Sequence, residues 1–239
     1  MPDRRAHRGP HPDDVRLFAA DLWPRLREAT RDLSWLLTRG YASPSALKIV
    51  GDRYGLDARQ RVAVARCGCA DKSAAERRSR QVQLQGVRGQ ELWIDGYNVL
   101  TSIEAAWSGG VILHARDGCY RDMASMHGSY RTVTETEPAI ELMGELLAKW
   151  EVAACRWLLD QPVSNSGRLA AMLREAARAR GWPWEAEVVP DPDAPLGQTD
   201  QIVATSDSVI LDCAARWFNL ARLAIDARVP DARIVDLSA

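Results

Sequence analysis

Nothing in these 239 residues approaches the ~20 consecutive apolar residues that a helix needs to cross a bilayer. The basic N-terminal residues run into Pro10 and Pro12 with no apolar segment behind them, which argues against a secretory signal and for a cytoplasmic protein with no membrane partner. The five cysteines are an odd number at irregular spacing, so no disulfide framework is expected. Cys67-Gly-Cys69 is too tight for a structural zinc pair, and no second Cys/His pair follows at zinc spacing, so reduced, partly buried thiols are expected. A P-loop, a Gly-x-Gly-x-x-Gly after a strand, a His-Glu-x-x-His and a Gly-x-Ser-x-Gly are all missing, which removes the common nucleotide-hydrolase, dinucleotide, zincin and α/β-hydrolase classes. Internal repeats and low-complexity tracts are missing too. Phe is nearly absent, with two residues against nine Trp, and many of those Trp fall at core spacing.

What is present is ordinary for a globular chain, 46% hydrophobic and 26% charged. The formal charge of −1 conceals an asymmetry, because residues 1–90 carry 18 Lys and Arg against 10 Asp and Glu, whereas residues 91–239 carry 13 against 22. A basic segment joined to an acidic one fits an arm for a phosphate backbone beside a metal-binding pocket, or two domains that attract each other.

Residues 1–12, with Pro2, Gly9, Pro10 and Pro12, read as a frayed lead-in. From Asp13 the apolar residues Val15, Phe18, Leu22, Leu26, Ala29, Leu33 and Leu36 follow helical spacing to Gly40, a suitable C-terminal stop, with Pro24 able to kink or split the run. Ser43-Pro44 opens a second helix and Asp57 caps a third. Two helices about a Gly-centred turn, studded with Arg53, Arg59, Arg61 and Arg66, are compatible with a helix-turn-helix-like module, and equally with any small bundle. The division expected is a basic helical domain over 1–69, a basic linker or exposed helix over 70–90, and an α/β domain over 91–239.

In the third part, apolar strands alternate with helices, which predicts an α/β fold with a parallel sheet. Three of its apolar runs end in aspartate: Leu92-Trp93-Ile94-Asp95, Trp157-Leu158-Leu159-Asp160, and Ile202 through Asp207. The carboxyl ends of parallel strands converge on one crevice, so three carboxylates would meet there. Like charges that close raise each other's pKa unless a cation neutralises them, and Mg²⁺ or Mn²⁺ is the economical cofactor. Asn98, one turn beyond Asp95, could orient a carboxylate or touch a phosphate, although Asp95 and Asn98 could also be simple helix caps. The run Asp160 to Arg168 leads from a strand end into a helix N-terminus rich in hydroxyls. Ser164, Ser166 and Arg168 could hold a phosphate, or a serine could merely cap the helix. Arg121 could neutralise a scissile phosphate or pair with Asp117 or Asp122. His114 and His127 are expected as surface or hydrogen-bonded residues. Asp191 is a possible outer ligand, Asp193 and Asp200 are expected to be solvated, and Asp212 could face the crevice.

Asp95-Gly96-Tyr97-Asn98 after an apolar strand, with Thr205-Ser206-Asp207 late in the chain, resembles the PIN/NYN nuclease superfamily over roughly residues 90–239. The resemblance implies a three-layer PIN-like sandwich in which clustered acids bind Mg²⁺ or Mn²⁺ and cut RNA, with Asp95, Asp160 and Asp207 in acidic positions. One departure is that the helix from Pro138 offers Glu141 and Glu145 without a clear match to the usual central-helix acid. Glu104, Asp117 or Asp122 would then be the further metal ligand, and one metal or two stays open. The whole chain also resembles a prokaryotic family that pairs a short N-terminal domain of unknown function with a PIN-like domain. Trp35 to Tyr41, Ala46 to Gly51, Asp117-Gly118, Arg121-Asp122 and Leu159 to Gly167 carry that resemblance.

The expectation is a metal-dependent phosphodiesterase, a ribonuclease with a basic nucleic-acid-binding arm. The alternatives are an enzyme acting on a small phosphate ester or nucleotide, and a non-catalytic RNA-binding protein. The oligomeric state is left open, a homodimer being one option.

Overall fold

The computed structural model describes residues 7–123 and 130–238; His127 lies outside them. The N-terminal third is helical: α1 (Asp14–Leu17), a 3₁₀ turn (Ala20–Leu22), α2 (Trp23–Thr38), α3 (Ser43–Arg53), α4 (Ala58–Cys67) and α5 (Asp71–Arg80). Pro24 does not kink α2, because it sits in the first turn, where a missing N–H costs nothing. Gly40 ends the helix at φ +81°, a left-handed conformation that glycine adopts freely. Asp57 and Gln60 form a reciprocal capping box at the start of α4.

The remaining elements alternate. They are β1 (Gln81–Val82), β2 (Glu91–Asp95), α6 (Gly96–Trp107), β3 (Val111–His114), β4 (Tyr120–Asp122), α7 (Thr136–Lys149), β5 (Ala154–Asp160), α8 (Ser166–Arg180), β6 (Trp184–Val189), α9 (Asp193–Gln198), β7 (Ile202–Ala204), α10 (Ser208–Cys213), β8 (Trp217–Phe218), α11 (Leu220–Arg228) and β9 (Arg233–Asp236). Six strands form a parallel sheet in the order β1-β8-β7-β2-β5-β6. Together with the helices on its two faces, this is the expected three-layer α/β arrangement.

Pleat alternation divides the sheet residues between two cores. Leu92, Ile94, Cys155, Trp157, Leu159, Ile202 and Ala204 pack under α6, α7, α8 and α11. Trp93, Leu158 and Val203 face the other way, onto Leu196 of α9 and Ile210 of α10. Asp95 and Asp160 share the parity of Trp93 and Leu158, so both leave the sheet on the α9/α10 side. Gly96 lets α6 start hard against β5: a Cβ there would fall 2.5 Å from Leu159 Cδ2.

Two expectations change. The strand Val111–His114 does not enter the main sheet but forms a second, three-stranded one in the order β4-β3-β9. That small sheet shares one core with the helices, in which Leu26, Leu33, Val50 and Val64 meet Val111, Leu113, Val235 and Leu237. Of the two readings of 70–90, the helix is present as α5 and the free linker is not, because α5 leads directly into β1, which extends the main sheet at β8. The lead-in is held from His7 onward: His7 Nδ1 pairs with Glu135 at 2.6 Å, and Arg8 reaches the fully buried carboxylate of Glu104.

Candidate functional site

The ends of β2 and β7 lie side by side, because Ile94 is in register with Ala204. Asp95, the last residue of β2, is buried, and its Oδ2 accepts a 2.8 Å hydrogen bond from Thr205 Oγ1. Its Oδ1 accepts from the Asn98 backbone N–H at 3.5 Å. Burial drives the Asp95 carboxyl up to about 7. The negative charges of Asp207 and Asp193 add to the rise, while the bonds from Thr205 and Asn98 oppose it. Asp207 caps α10, its Oδ1 accepting from Val209 N–H at 2.7 Å. Asn98 Oδ1 accepts from both the N–H and the hydroxyl of Ser206, each at 2.8 Å, and so ties α6 to the β7 loop.

Asp160 stands further along. Asp95 is in register with Leu158, so Asp160 is two residues beyond it on β5. At ~3.3 Å per residue and ~4.8 Å between strands, the two Cα positions are about 8 Å apart. Burial raises the Asp160 pKa first and Asp191 second. Asp193 is the residue common to both ends, its carboxyl raised by burial and then by Asp207, Asp191 and Asp160. Asp95, Asp193 and Asp207 are therefore electrostatically coupled, and Asp160 joins them through Asp193. Sequence reading treated Asp193 as solvated, because exposure in a Pro-rich turn carries no signal of what the turn folds against. Thr205 was likewise read only as part of a motif, although its hydroxyl is the direct partner of Asp95.

Several predicted site residues belong elsewhere. Glu104 is buried with Arg8, Tyr130 Oη at 2.5 Å and Thr136 Oγ1 at 2.6 Å, so its carboxylate is consumed inside the fold. Arg121 does not face a phosphate. It is 5% exposed, paired through both terminal nitrogens with Asp117 at 2.9 and 2.7 Å, and donates from Nε to Ser206 O at 2.8 Å. Asp117 also accepts from Arg77 Nη1 at 2.7 Å. Burial opposes its charge, but the two guanidiniums win and hold its carboxyl below the usual carboxylate range. A carboxylate so enclosed is a structural ion pair and not a metal ligand. Asp122 is buried and accepts from Ser102 Oγ at 3.0 Å. Asp212 is tied to Arg77 Nε at 2.8 Å, and His114 lies between Arg222 and Asp236 at 3.1 and 3.0 Å, its pKa lowered by burial and then by Arg222.

The Ser164–Arg168 stretch reaches the same edge of the sheet as the acids, since it follows β5. Ser164 and Arg168 are exposed and Ser166 is buried. Asn165 adopts φ +71° and donates from Nδ2 to Tyr130 O at 2.8 Å, and no serine side chain caps α8.

Among the described residues, no group of three or more His, Cys, Asp or Glu side chains forms a ready metal cage. The donor chemistry around Asp95 is all oxygen, which suits a hard divalent ion. Mg²⁺ commonly takes only one or two protein carboxylates, with water and substrate phosphate completing its shell. On that chemistry Asp95 and Asp207, with Asp193 beside them, fit such an ion. The Arg-rich N-terminal helices are less available than their charge suggests: Arg59 is paired with buried Asp14, Arg61 with Asp52, and Arg77 and Arg80 with the α10 region.

Residues 84–223 match a family described as a domain of unknown function (DUF5616), and residues 25–80 match one described as a protein of unknown function (DUF434). An uncharacterized protein of Methanocaldococcus jannaschii is 34% identical over 186 residues, spanning 78% of this chain and 88% of that protein. No solved structure matches.

Proposed function

We propose that this chain, which belongs to the DUF5616 family, is a metal-dependent phosphodiesterase of PIN-like type acting on RNA. The observation that carries the reading is the coupled set of Asp95 at the end of β2, Asp207 after the adjacent β7 and Asp193 at the start of α9, with the Asp95 carboxyl raised to about 7 by burial and like charge. A site that crowds uncompensated carboxylates is built for a cation. Asp95 and Asp207 would hold Mg²⁺ or Mn²⁺, which when bound lowers the pKa of water and offsets charge on a phosphate. Thr205 fixes the orientation of Asp95, and Asn98 holds the Ser206 backbone so that Asp207 stays opposite. Asp160 faces the substrate side of the crevice, and the Ser164–Arg168 wall positions the substrate.

The test is cleavage of single-stranded and structured RNA with Mn²⁺, measured for the native chain, Asp95→Asn and Asp207→Asn. Metal stabilisation of charge is worth several kcal/mol, so each substitution should lower the rate at least about a hundredfold. Cleavage unchanged in Asp95→Asn defeats the proposal.

One observation favours a second reading, a small phosphate ester or nucleotide as substrate. The internal pairing of Arg59, Arg61, Arg77 and Arg80 leaves the helical region less charge with which to track a polymer. Thermal stabilisation by nucleotides in Mg²⁺, and none by RNA, would select that reading.

A further inference from the structure

Asp95 and Asp207 are both oriented, directly or through one hydroxyl, by backbone N–H groups. Asp207 N–H donates to Thr205 Oγ1 at 2.9 Å, and that hydroxyl donates to Asp95 Oδ2. Val209 N–H donates to Asp207 Oδ1. Each N–H belongs to a planar peptide group, so whatever fixes the carbonyl oxygen also fixes the direction of the N–H. The carbonyl that shares a peptide with Asp207 N–H is Ser206 O, which accepts from Arg121 Nε at 2.8 Å. The carbonyl that shares a peptide with Val209 N–H is Ser208 O, which accepts from Arg77 Nη2 at 3.1 Å. Neither guanidinium is free to turn. Both are clamped on Asp117, whose side chain is 1% exposed, and Arg77 Nε is held in addition by Asp212 at 2.8 Å. Arg77 lies on α5, in the stretch that matches DUF434, whereas Asp95, Arg121 and Asp207 lie in the stretch that matches DUF5616.

We infer that Arg121 and Arg77 are positioning residues of the acidic crevice. Arg121 acts on Asp95 through the Ser206–Asp207 peptide and Thr205, and Arg77 acts on Asp207 through the Ser208–Val209 peptide. The helical segment is then part of the site, because the hold on Asp207 ends on a side chain of α5. A cation on a carbonyl oxygen also polarises its peptide, which strengthens the hydrogen bond that the N–H donates. Two carboxylates are thus held by neutral N–H and O–H donors. Among the described residues no Arg, Lys or His forms an ion pair with Asp95 or Asp207, so their charge is left for a cation. That the cation is a metal ion rests on the phosphodiesterase reading, whereas the positioning itself does not.

The experiment compares variants of the full chain. Arg121→Lys and Arg77→Lys keep a cation opposite Asp117 but cannot also reach the carbonyl oxygen. Arg80→Gln is the control, since Arg80 binds Asp212 O and Ala214 O at the far end of α10. Amide hydrogen exchange is followed by NMR in EDTA, so that no metal engages the crevice. Exchange of Asp207 N–H should rise about tenfold in Arg121→Lys, and that of Val209 N–H about tenfold in Arg77→Lys, each the loss of one charged hydrogen bond. The control should change neither. Mn²⁺ affinity, measured by calorimetry, should weaken about tenfold in both Lys variants, the usual effect of losing a group that orients a metal ligand, and should hold in Arg80→Gln. A merely structural cluster would lower Tm in the Lys variants and leave Mn²⁺ affinity where it was. Should a Lys variant not fold, Asp212→Asn takes its place. That carboxylate is 46% exposed, and loosening Arg77 through it should raise Val209 exchange about twofold. Exchange no faster than in Arg80→Gln, or faster exchange with unchanged Mn²⁺ affinity, overturns the inference. Faster exchange in a chain whose native form binds no Mn²⁺ supports the positioning roles and overturns the metal-dependent reading instead.

Discussion

Replacing Asp117 by Asn would test whether the Arg77–Asp117–Arg121 cluster is structural or functional. The carboxylate side chain is 1% exposed and the two guanidiniums are 3% and 5% exposed. Asn keeps the shape but removes the charge, which leaves two buried cations facing a neutral amide. Breaking a buried pair in this way costs ~3–5 kcal/mol. For a chain of this size each kcal/mol lowers Tm by ~2–4 °C, so a drop of about 6–20 °C is expected in thermal unfolding followed by circular dichroism. The pH dependence has a defined sign. Asp117 is held below its ordinary pKa of ~4, so its contribution is complete above pH ~4 and is lost as pH falls towards the folded value. The native chain should therefore lose stability on acidification below pH ~4 more steeply than Asp117→Asn. A Tm drop under ~2 °C combined with loss of metal-dependent activity would refute the structural role and return Asp117 to the ligand set.

Three further outcomes are expected. The raised Asp95 pKa means that metal-free stability falls as pH rises from ~4 through about 7 and then levels, and Asp95→Asn should flatten that slope in a urea titration series. Thr205→Val removes the hydrogen bond that opposes the rise, so the acid limb of any pH–rate profile should move to higher pH. Gly144→Ala places a Cβ 2.0 Å from Trp182 Cη2 in the packing of α7 and should destabilise by ~1–3 kcal/mol, measured by denaturant midpoint.

Much of the architecture was legible because short apolar runs between amphipathic helices leave little choice but buried parallel strands; Leu92 to Asp95 and Trp157 to Asp160 carried that signal. The register that sets Asp160 two residues beyond Asp95 was not legible, since periodicity says which residues face inward and not how far each strand slides. Asp117 and Arg121 looked like site residues because they lie in a long polar stretch, and Glu104 because it offered a substitute for the usual central-helix acid. The pairing of Arg121 with Asp117 is local, four residues apart, and was one of the two readings of Arg121, whereas Arg77 on Asp117 and Arg8 on Glu104 lie 40 and 96 residues away in sequence, beyond any local pattern.

The sharing of one apolar core between the helices α2–α4 and the strands β3 and β9 bears on how the chain is made. Leu113 and Val235 both line that core, yet β3 and β9 pair across a long intervening stretch, with Val111 in register with Arg233. At a ribosomal rate of ~5–20 residues per second, this gap takes roughly 6–24 s to synthesise. For that interval the helices wait with Leu26, Leu33 and Val64 open on one side, exposed to any other nascent chain. A segment written first is thus completed last.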